Sequence, residues 1–591
     1  MAQARAPGIY HEPNEQRVLP LELGRTGVPV FLGFTRRGPL DRPVKVMSEA
    51  QFVEVFGEPL ADGYLLPALR GFFDNGGEAC FVLRVARTQG DPGEDLARRA
   101  TILVTDRAGA PSLVIEAQDE GEWGNALRVS LNATQADGRT FLTRDADEGD
   151  DAIQVKSSHG FTAGLLVCVQ DEQRTFWTWV LRTDGKLLTL ADPLPGAFRS
   201  GAPTYVTPHT FGLHVRDLER EERFDRLSMH GASPRFVERL VTDQSRLVRV
   251  RALRPETTPA LALPMDHTDQ ALEGGADGTS NPGPEDFIGH DRGPTDRRGL
   301  LGLVEHPEID VVALPDLMSA YQRGRAQDTP KRRFRTLRDV EVVQDAAITQ
   351  CERARNGFAI LDLPPGIDHE EALRWRQQFD SAHAAFYFPW VVTLVSARPT
   401  IVPPCGHVAG IIARIDREVG IHKAPANEVM EGVVDLSLLL QDDHLAELNA
   451  AGVNCIRPFA ARGIRVWGAR TASSDAEWRF INVRRTVSSI SAAIERGTQW
   501  AVFEPNGPGL WKRVTRSIVG FLVGLRERGM LSGATPEEAF FVQCDDETNP
   551  PDDVDRGMMT TRIGLAVTRP VEFIVFRVTQ RLEDQAQQDE D

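Results

Sequence analysis

Apolar positions in the first hundred residues alternate between two spacings. Val28–Phe34 is an unbroken apolar run flanked by Gly and Pro, which predicts a buried strand. Leu65, Leu66, Leu69, Phe72 and Phe73 recur at helical spacing and predict a helix over Tyr64–Asp74. Asn75-Gly76-Gly77 ends it, because glycine accepts the left-handed cap. Ala79–Val85 reads as a second strand, so strand, helix and strand follow one another as in α/β proteins.

From about 101 to 270 the rhythm changes to short β-prone runs parted by turn residues. Ser112–Ala117, Leu127–Leu131, Leu165–Val169, Phe176–Leu181 and Thr210–Val215 are the clearest. A mainly β insertion is expected here. A stretch rich in Gly, Pro and Asp over 273–299 marks the way out of it.

The α/β rhythm then resumes. Ile309–Leu314, Phe358–Leu363 and Trp390–Val395 read as strands, and 339–355 as a helix with Val340, Val343, Ala347 and Cys351 on one side and Gly357 as its cap. Such alternation predicts a mostly parallel sheet flanked by helices. Beyond 455, Gly463–Trp467, Phe480–Val483 and 500–506 read as strands. Helices are expected over 484–497 (Val487, Ile490 and Ile494 inward) and 510–528 (Leu510, Val514, Ile518, Phe521, Leu522 and Leu525 on one face). Phe540–Cys544, Arg562–Thr568 and Val571–Val578 complete the strands. Residues 1–20 read as an extended arm, since Pro7, Pro13 and Pro20 disfavour helix, and the polar, acidic end 582–591 as frayed.

A chain of 591 residues exceeds what one core serves, so three or more lobes are expected. Its 41% hydrophobic and 26% charged content is that of a globular protein. A net charge of −18 argues against nucleic acid as a partner. No apolar run reaches membrane-spanning length, and the beginning has no signal-peptide run, so folding in the cytoplasm is expected. The six cysteines are scattered without a CxxC pair, which implies neither a disulfide framework nor a zinc module.

Motifs for chemistry are weak. No phosphate-binding glycine signature is present; Gly274–Gly278 has the wrong spacing, and a tight turn explains it better. His369-Glu370-Glu371 lacks a second His for zinc. His407, Asp416 and His422 have no ligand spacing. Cys405 and His407 would share a face on a strand and form a thiolate–imidazolium pair, but no orienting carboxylate is near in sequence, and a packed Cys beside a turn His is the simpler reading. The basic run 331–338 reads as a solvated helix start or a contact with an acidic neighbour. On helix 510–528, Lys512, Arg513 and Arg516 line the polar side, extended by Arg526 and Arg528. They form either the wet face any amphipathic helix needs or a positive ridge for an acidic partner.

An ordered set of segments carries a resemblance. It comprises Gly463–Thr471 (GIRVWGART), Trp478–Arg485 (WRFINVRR), Trp500–Asn506 (WAVFEPN), Phe541–Asp545 with Thr548-Asn549, and Pro570–Ile574. The set resembles the C-terminal domain of contractile tail sheath proteins of phages, R-type pyocins and extracellular contractile injection systems. Upstream, Pro7–Tyr10, Val28–Phe34, Phe72–Val85, Gly274–Gly278 with Asp286–Gly289, and Glu352–Pro364 are similar to the family's arm and core. Residues 101–270 match no pattern.

The resemblance implies an α/β multidomain fold. Its core has subtilisin-like topology, carries a mainly β insertion, and precedes an α+β C-terminal domain whose sheet is completed by neighbours' arms. The expected division is 1–22 linker arm, 23–100 and 273–455 core, 101–272 outward-facing variable insertion, 456–580 tube-facing C-terminal domain, and 581–591 acidic tail. It implies a structural, non-enzymatic subunit with no cofactor or metal, stacked in six-membered rings around an inner tube and contacting baseplate and cap proteins, without membrane or nucleic acid. Pro7, Gly8, Ile9 and Tyr10, with Val571, Phe573, Ile574, Val575 and Phe576, are expected to exchange strands between subunits; Lys512, Arg513 and Arg516 are expected to touch the tube. Assembly is expected in a bacterial cytoplasm, as part of a virion tail or contractile particle. The competing expectations are a hydrolase using Cys405 and His407, and a cell-surface binding module built on the insertion.

Overall fold

A computed structural model describes residues 21–91, 94–135, 138–253, 259–294, 296–326 and 333–572. The strand-exchange residues Pro7–Tyr10 and Phe573–Phe576 lie outside them. Val571 lies inside, in irregular backbone and 78% exposed.

The predicted alternation produces a nine-stranded sheet. Six parallel strands form its middle, in the order Cys80–Arg84, Pro29–Gly33, Val311–Ala313, Phe358–Asp362, Ala384–Phe388, Val453–Phe459. Val44–Val46 closes one edge antiparallel; Gly463–Val466 and Glu428–Val429 close the other. Most of the central strands are buried along their whole length, because helices cover both faces, and this is why they read as continuous apolar runs rather than alternating ones.

Alternate side chains divide between two cores. Val30, Leu32, Ala359, Leu361 and Phe386 pack under helices Leu317–Ala326, Leu337–Arg353, His369–Arg376 and Asp442–Ala450. Phe31, Phe358, Ile360 and Tyr387 pack under helices Glu49–Phe56, Leu65–Asp74 and Cys405–Glu418. On that second side, Leu65–Asp74 and Cys405–Glu418 touch backbone to backbone. A Cβ on Gly406 would lie 2.2 Å from the Ala68 carbonyl oxygen, and one on Gly410 2.4 Å from that of Phe72.

The β-rich stretch forms an antiparallel sheet around the long strand Tyr205–Arg216, with Arg128–Gln135 and Leu166–Gln170 on either side, and a three-stranded sheet of Thr101–Thr105, Pro111–Ala117 and Val248–Ala252. Leu113, Ile115, Leu131, Phe211 and Leu213 share one core between the two sheets. A further core gathers helix Pro508–Glu527, part of helix Ile481–Gly497, and the hairpin Phe540–Gln543/Arg562–Leu565, with Leu21 packed against it.

Several expectations are corrected. Trp390–Val395 does not extend the parallel sheet. The preceding Ala384–Phe388 does, and after Pro389, which has no N–H for a ladder, Val391–Val395 joins a separate antiparallel sheet with Arg398–Val402 and Val433–Leu436. Phe480–Val483 is no strand. Helix Ile481–Gly497 begins there, a short apolar run being ambiguous by periodicity alone. Residues 500–506 are no strand either: a short 3₁₀ turn, Gln499–Ala501, is followed by Phe503 at φ 68°, which strand geometry excludes. Helix Leu337–Arg353 is capped by Ala354, not Gly357. Gly357 is needed instead where a Cβ would lie 2.8 Å from Cys351 Cα. The expected boundary at 455/456 falls inside strand Val453–Phe459, and the core sheet continues to Val466.

Candidate functional site

Ligands of open α/β sheets bind at the carboxyl ends of the strands, where strand order reverses. Here that point lies between Pro29–Gly33 and Val311–Ala313, since the chain runs from Pro29–Gly33 to one side first and later returns on the other. A buried carboxylate stands there. Asp316, just past the end of Val311–Ala313, is buried and accepts the backbone N–H groups of Phe34 (2.7 Å), Tyr64 and Leu65 (3.1 Å). The carboxylate sits at the positive end of helix Leu65–Asp74, and a cavity of about 670 Å³ lined by Tyr64, Tyr321, Phe388 and Trp390 remains open beside it. Burial outweighs those bonds and raises its pKa to about 6.

One strand further on, Asp362 repeats the device. It accepts the Cys405 N–H at 3.1 Å at the start of helix Cys405–Glu418, and burial raises its pKa to about 7. The Cys405 thiol donates to the same carboxylate. Burial, then the negative charge of Asp362, pushes that thiol far up, so it stays protonated.

The Cys405–His407 pair expected on a strand is therefore corrected. Both lie on a helix, where residues two apart point to different sides. His407 instead packs on Gly71, whose Cβ would lie 2.5 Å from the ring. Burial lowers its pKa to about 4, leaving it neutral. A thiol held protonated and an imidazole facing elsewhere make no nucleophile and base.

Other candidates resolve similarly. His369 stacks on His444 with ring centres 3.7 Å apart. Asp416 is engaged by Arg485, not by His407 or His422. Among the described residues no group of three or more His, Cys, Asp or Glu is arranged to hold a metal ion. The Gly274–Gly278 stretch folds back beside Arg98 and Thr101 in antiparallel bridges. Of the basic run, Lys331 and Arg332 lie outside the described residues; Arg333 pairs with Glu285 and Asp286, and Arg338 with Glu341.

Helix Pro508–Glu527 buries Leu510, Val514, Ile518, Leu522 and Leu525, and exposes Lys512, Arg513 and Arg516 on the opposite side. Arg513 is engaged within the chain: it bonds Glu504 at 2.5 Å and lies 5.2 Å above the Trp500 ring. Lys512 and Arg516 form no ion pair among the described residues. Beside them the loop tip holds Phe503 fully exposed.

One buried polar cluster escaped sequence reading. Asp310 accepts the N–H groups of Gly27 (2.9 Å) and Val28 (2.7 Å), so it fixes the chain where it first joins the sheet. Arg485, from helix Ile481–Gly497, reaches Asp310 at 2.9 Å and grips Asp416 of helix Cys405–Glu418 with two bonds of 2.9 and 2.7 Å. All three side chains are less than a tenth exposed. Burial alone would lower the Arg485 pKa, but Asp416 and Asp310 outweigh it and the guanidinium stays charged. Burial, together with the neighbouring Asp416, raises Asp310 despite Arg485. The signal in the sequence was an Asp set directly against apolar runs, as in IDVVALPD and AILDLP: such carboxylates must find donors inside the protein.

The chain's similarities follow the same geometry. Residues 339–472, which carry the later core strands, helix Cys405–Glu418 and Asp416, match the family model of the phage tail sheath protein central domain. Residues 473–581, beginning just before the helix that carries Arg485, match that of the phage tail sheath C-terminal domain.

The chain belongs to the contractile tail sheath family.

It is 29% identical over 227 residues to a prophage major tail sheath protein of Pseudomonas aeruginosa (strain UCBPP-PA14), a match covering 37% of this chain and 57% of that one. It is 26% identical over 206 residues to the tail sheath protein of Escherichia phage P2, covering 33% and 51% respectively. The chain thus spans about half the length of these curated relatives. Its fold is similar to the helical sheath of the anti-feeding prophage in the contracted state, with a TM-score of 0.51 and 20% identity, covering 98% of this chain and 100% of that one. The family is one of structural proteins, not enzymes.

Proposed function

We propose that this chain is the subunit of a contractile sheath. It stacks as six-membered rings around an inner tube and drives that tube through a target envelope by rotating and packing more densely. The observation that carries this reading is the fold likeness to a contracted helical sheath over nearly the whole chain, joined to the two family domains in sequence. The core is read as the subtilisin-like arrangement of the family, 1–22 as a linking arm, 101–272 as the outward-facing insertion, and 581–591 as a solvated tail.

In this reading Pro7–Tyr10, Val571 and Phe573–Phe576 add strands to neighbours' sheets. Main-chain hydrogen bonds then hold the lattice while the linkers bend. Residues 571–578 (VEFIVFRV) suit that role: an unpaired, β-prone, apolar strand is otherwise an aggregation hazard. Lys512 and Arg516, with Arg513 beside them, face the tube. Exposed ion pairs, each about 1 kcal/mol or less, hold a tube that must later slide. Baseplate and cap proteins bound the polymer, which assembles in a bacterial cytoplasm and serves in a virion tail or a free particle. No chemical fuel is required, because the extended lattice stores the energy.

Co-expression with the candidate tube protein and negative-stain electron microscopy test this. Striated tubes or rings are expected, abolished by deleting 1–20 or 571–591. Dispersed monomers in the presence of tube overturn it.

A further inference from the structure

A groove of about 880 Å³ lies between helix Asp442–Ala450, the turn after strand Gly463–Val466, and the departing chain Thr568–Glu572. Leu445, Ala446, Cys455, Trp467 and Ala469 make it largely apolar. Trp467 is 40% exposed there although it packs on Phe459. Val419 on the rim is 55% exposed.

The chain is led into this groove and held at its wall. Asn482 donates to the Thr568 carbonyl at 3.0 Å. Arg470 then clamps Glu572 through two bonds of 2.9 and 2.5 Å, both side chains being mostly buried, while it also donates to the Asn449 carbonyl at the end of helix Asp442–Ala450. Val571 and Glu572 are themselves part of the lining. The next four residues, Phe573, Ile574, Val575 and Phe576, form the most apolar run of the last part of the sequence. One residue extends the chain by at most about 3.6 Å, so an extended run of four beyond Glu572 spans roughly 13 Å.

We propose that this groove is the docking site of the chain's own Phe573–Phe576 in the free subunit. The Arg470–Glu572 clamp holds the run beside the part-exposed Trp467, and burial of that ring against its side chains removes apolar surface from water on both sides. Because the clamp tethers the run, docking is intramolecular and outcompetes a second copy at low concentration. The inference concerns the single chain and stands apart from the sheath reading. If that reading also holds, the run must leave its own groove before it can pair with a neighbour, so self-docking keeps free subunits from joining prematurely.

The test uses the full chain carrying Ala446→Cys and Ile574→Cys, treated at low concentration with a short bismaleimide, each single variant serving as control. Expected is a cross-link within one chain, migrating as a monomer and mapped by mass spectrometry to 446 and 574. In parallel, a chain ending at Glu572, shown folded by circular dichroism, exchanges the backbone amides of 445–449 and 467–469 with deuterium severalfold faster than the full chain. Cross-links found only between two chains assign the groove to a second copy and overturn the proposal. Absence of the cross-link with unchanged exchange overturns it as well. Neither result bears on tube formation in the microscope, so the two readings fail separately.

Discussion

Arg485 grips Asp416 end-on, donating two hydrogen bonds of 2.9 and 2.7 Å in a site where both side chains are less than a tenth exposed. One of those nitrogens also reaches Asp310, which in turn holds the backbone at Gly27 and Val28. A single cation thereby ties the first helix of the C-terminal domain, a helix of the central domain and the first strand of the chain. This is where the C-terminal domain is tied to the core.

Replacing Arg485 leaves two carboxylates buried without a counter-charge. Arg485→Met is expected to destabilise the fold by about 3–5 kcal/mol. Arg485→Lys recovers little, since an ammonium cannot make the two-point contact. The exposed pair Arg199–Asp147 is the control, with about 1 kcal/mol or less expected for Arg199→Met. Thermal denaturation checks both; equal shifts for the two variants would remove the claim.

The pH dependence follows from Asp362. Its folded pKa of about 7 lies above the usual carboxylate value near 4, so the folded state binds the proton more tightly. Stability from this group is therefore full below pH 4 and lost as pH rises through 7. Asp316 and Asp286, each at about 6, act in the same direction, whereas His407 at about 4 acts in the opposite one. The difference between wild type and Asp362→Asn isolates the group. The variant is expected to gain on wild type as pH rises from about 4 to 7 and to level off above, and a flat difference in melting temperature across that window would refute this.

Helices Leu65–Asp74 and Cys405–Glu418 approach so closely that Gly406 and Gly410 have no room for a Cβ. Gly410→Ala is expected to cost about 1–3 kcal/mol by overpacking. Gly520→Ala on helix Pro508–Glu527, where nothing lies within 4 Å of the added methyl, is expected to gain roughly 0.5–1 kcal/mol by helix propensity. Denaturant midpoints of opposite sign are the readout.

Cys405 is expected to resist alkylation in the native protein, being buried and held protonated by Asp362, whereas the half-buried Cys544 reacts first. Mass mapping after timed iodoacetamide treatment measures the order. Selective labelling of Cys405 would revive a hydrolase and defeat the structural account.

Lys512→Glu combined with Arg516→Glu is expected to reduce co-purification with the tube and its salt dependence without changing the melting temperature. Arg513→Glu acts partly through its loss of Glu504 and Trp500. Undiminished tube binding by the double variant at low salt would take the ridge out of the interface.

Much of this architecture is written locally. Continuous apolar runs such as PVFLG, CFVLR and FAILD are what a parallel sheet buried on both faces requires, and the amphipathic period of Pro508–Glu527 states which side is wet. The ordered segments between Gly463 and Ile574 sufficed to point to the family. Where local preference is divided, packing chose. Phe480–Val483 is apolar enough for a strand, yet it became a helix start because Arg485, four residues beyond Ile481, meets Asp310 and Asp416, and because Asn482 bonds the carbonyls of His422 and Thr568. Cys405 and His407 were parted by the helix that carries them. Asp310, Asp316 and Asp362 drew no notice along the chain, since a single Asp beside an apolar run has no period and no motif. Their partners are backbone N–H groups and an arginine drawn from up to 283 residues away, and only the folding of distant segments into one layer brings such donors to a carboxylate that cannot remain alone out of water.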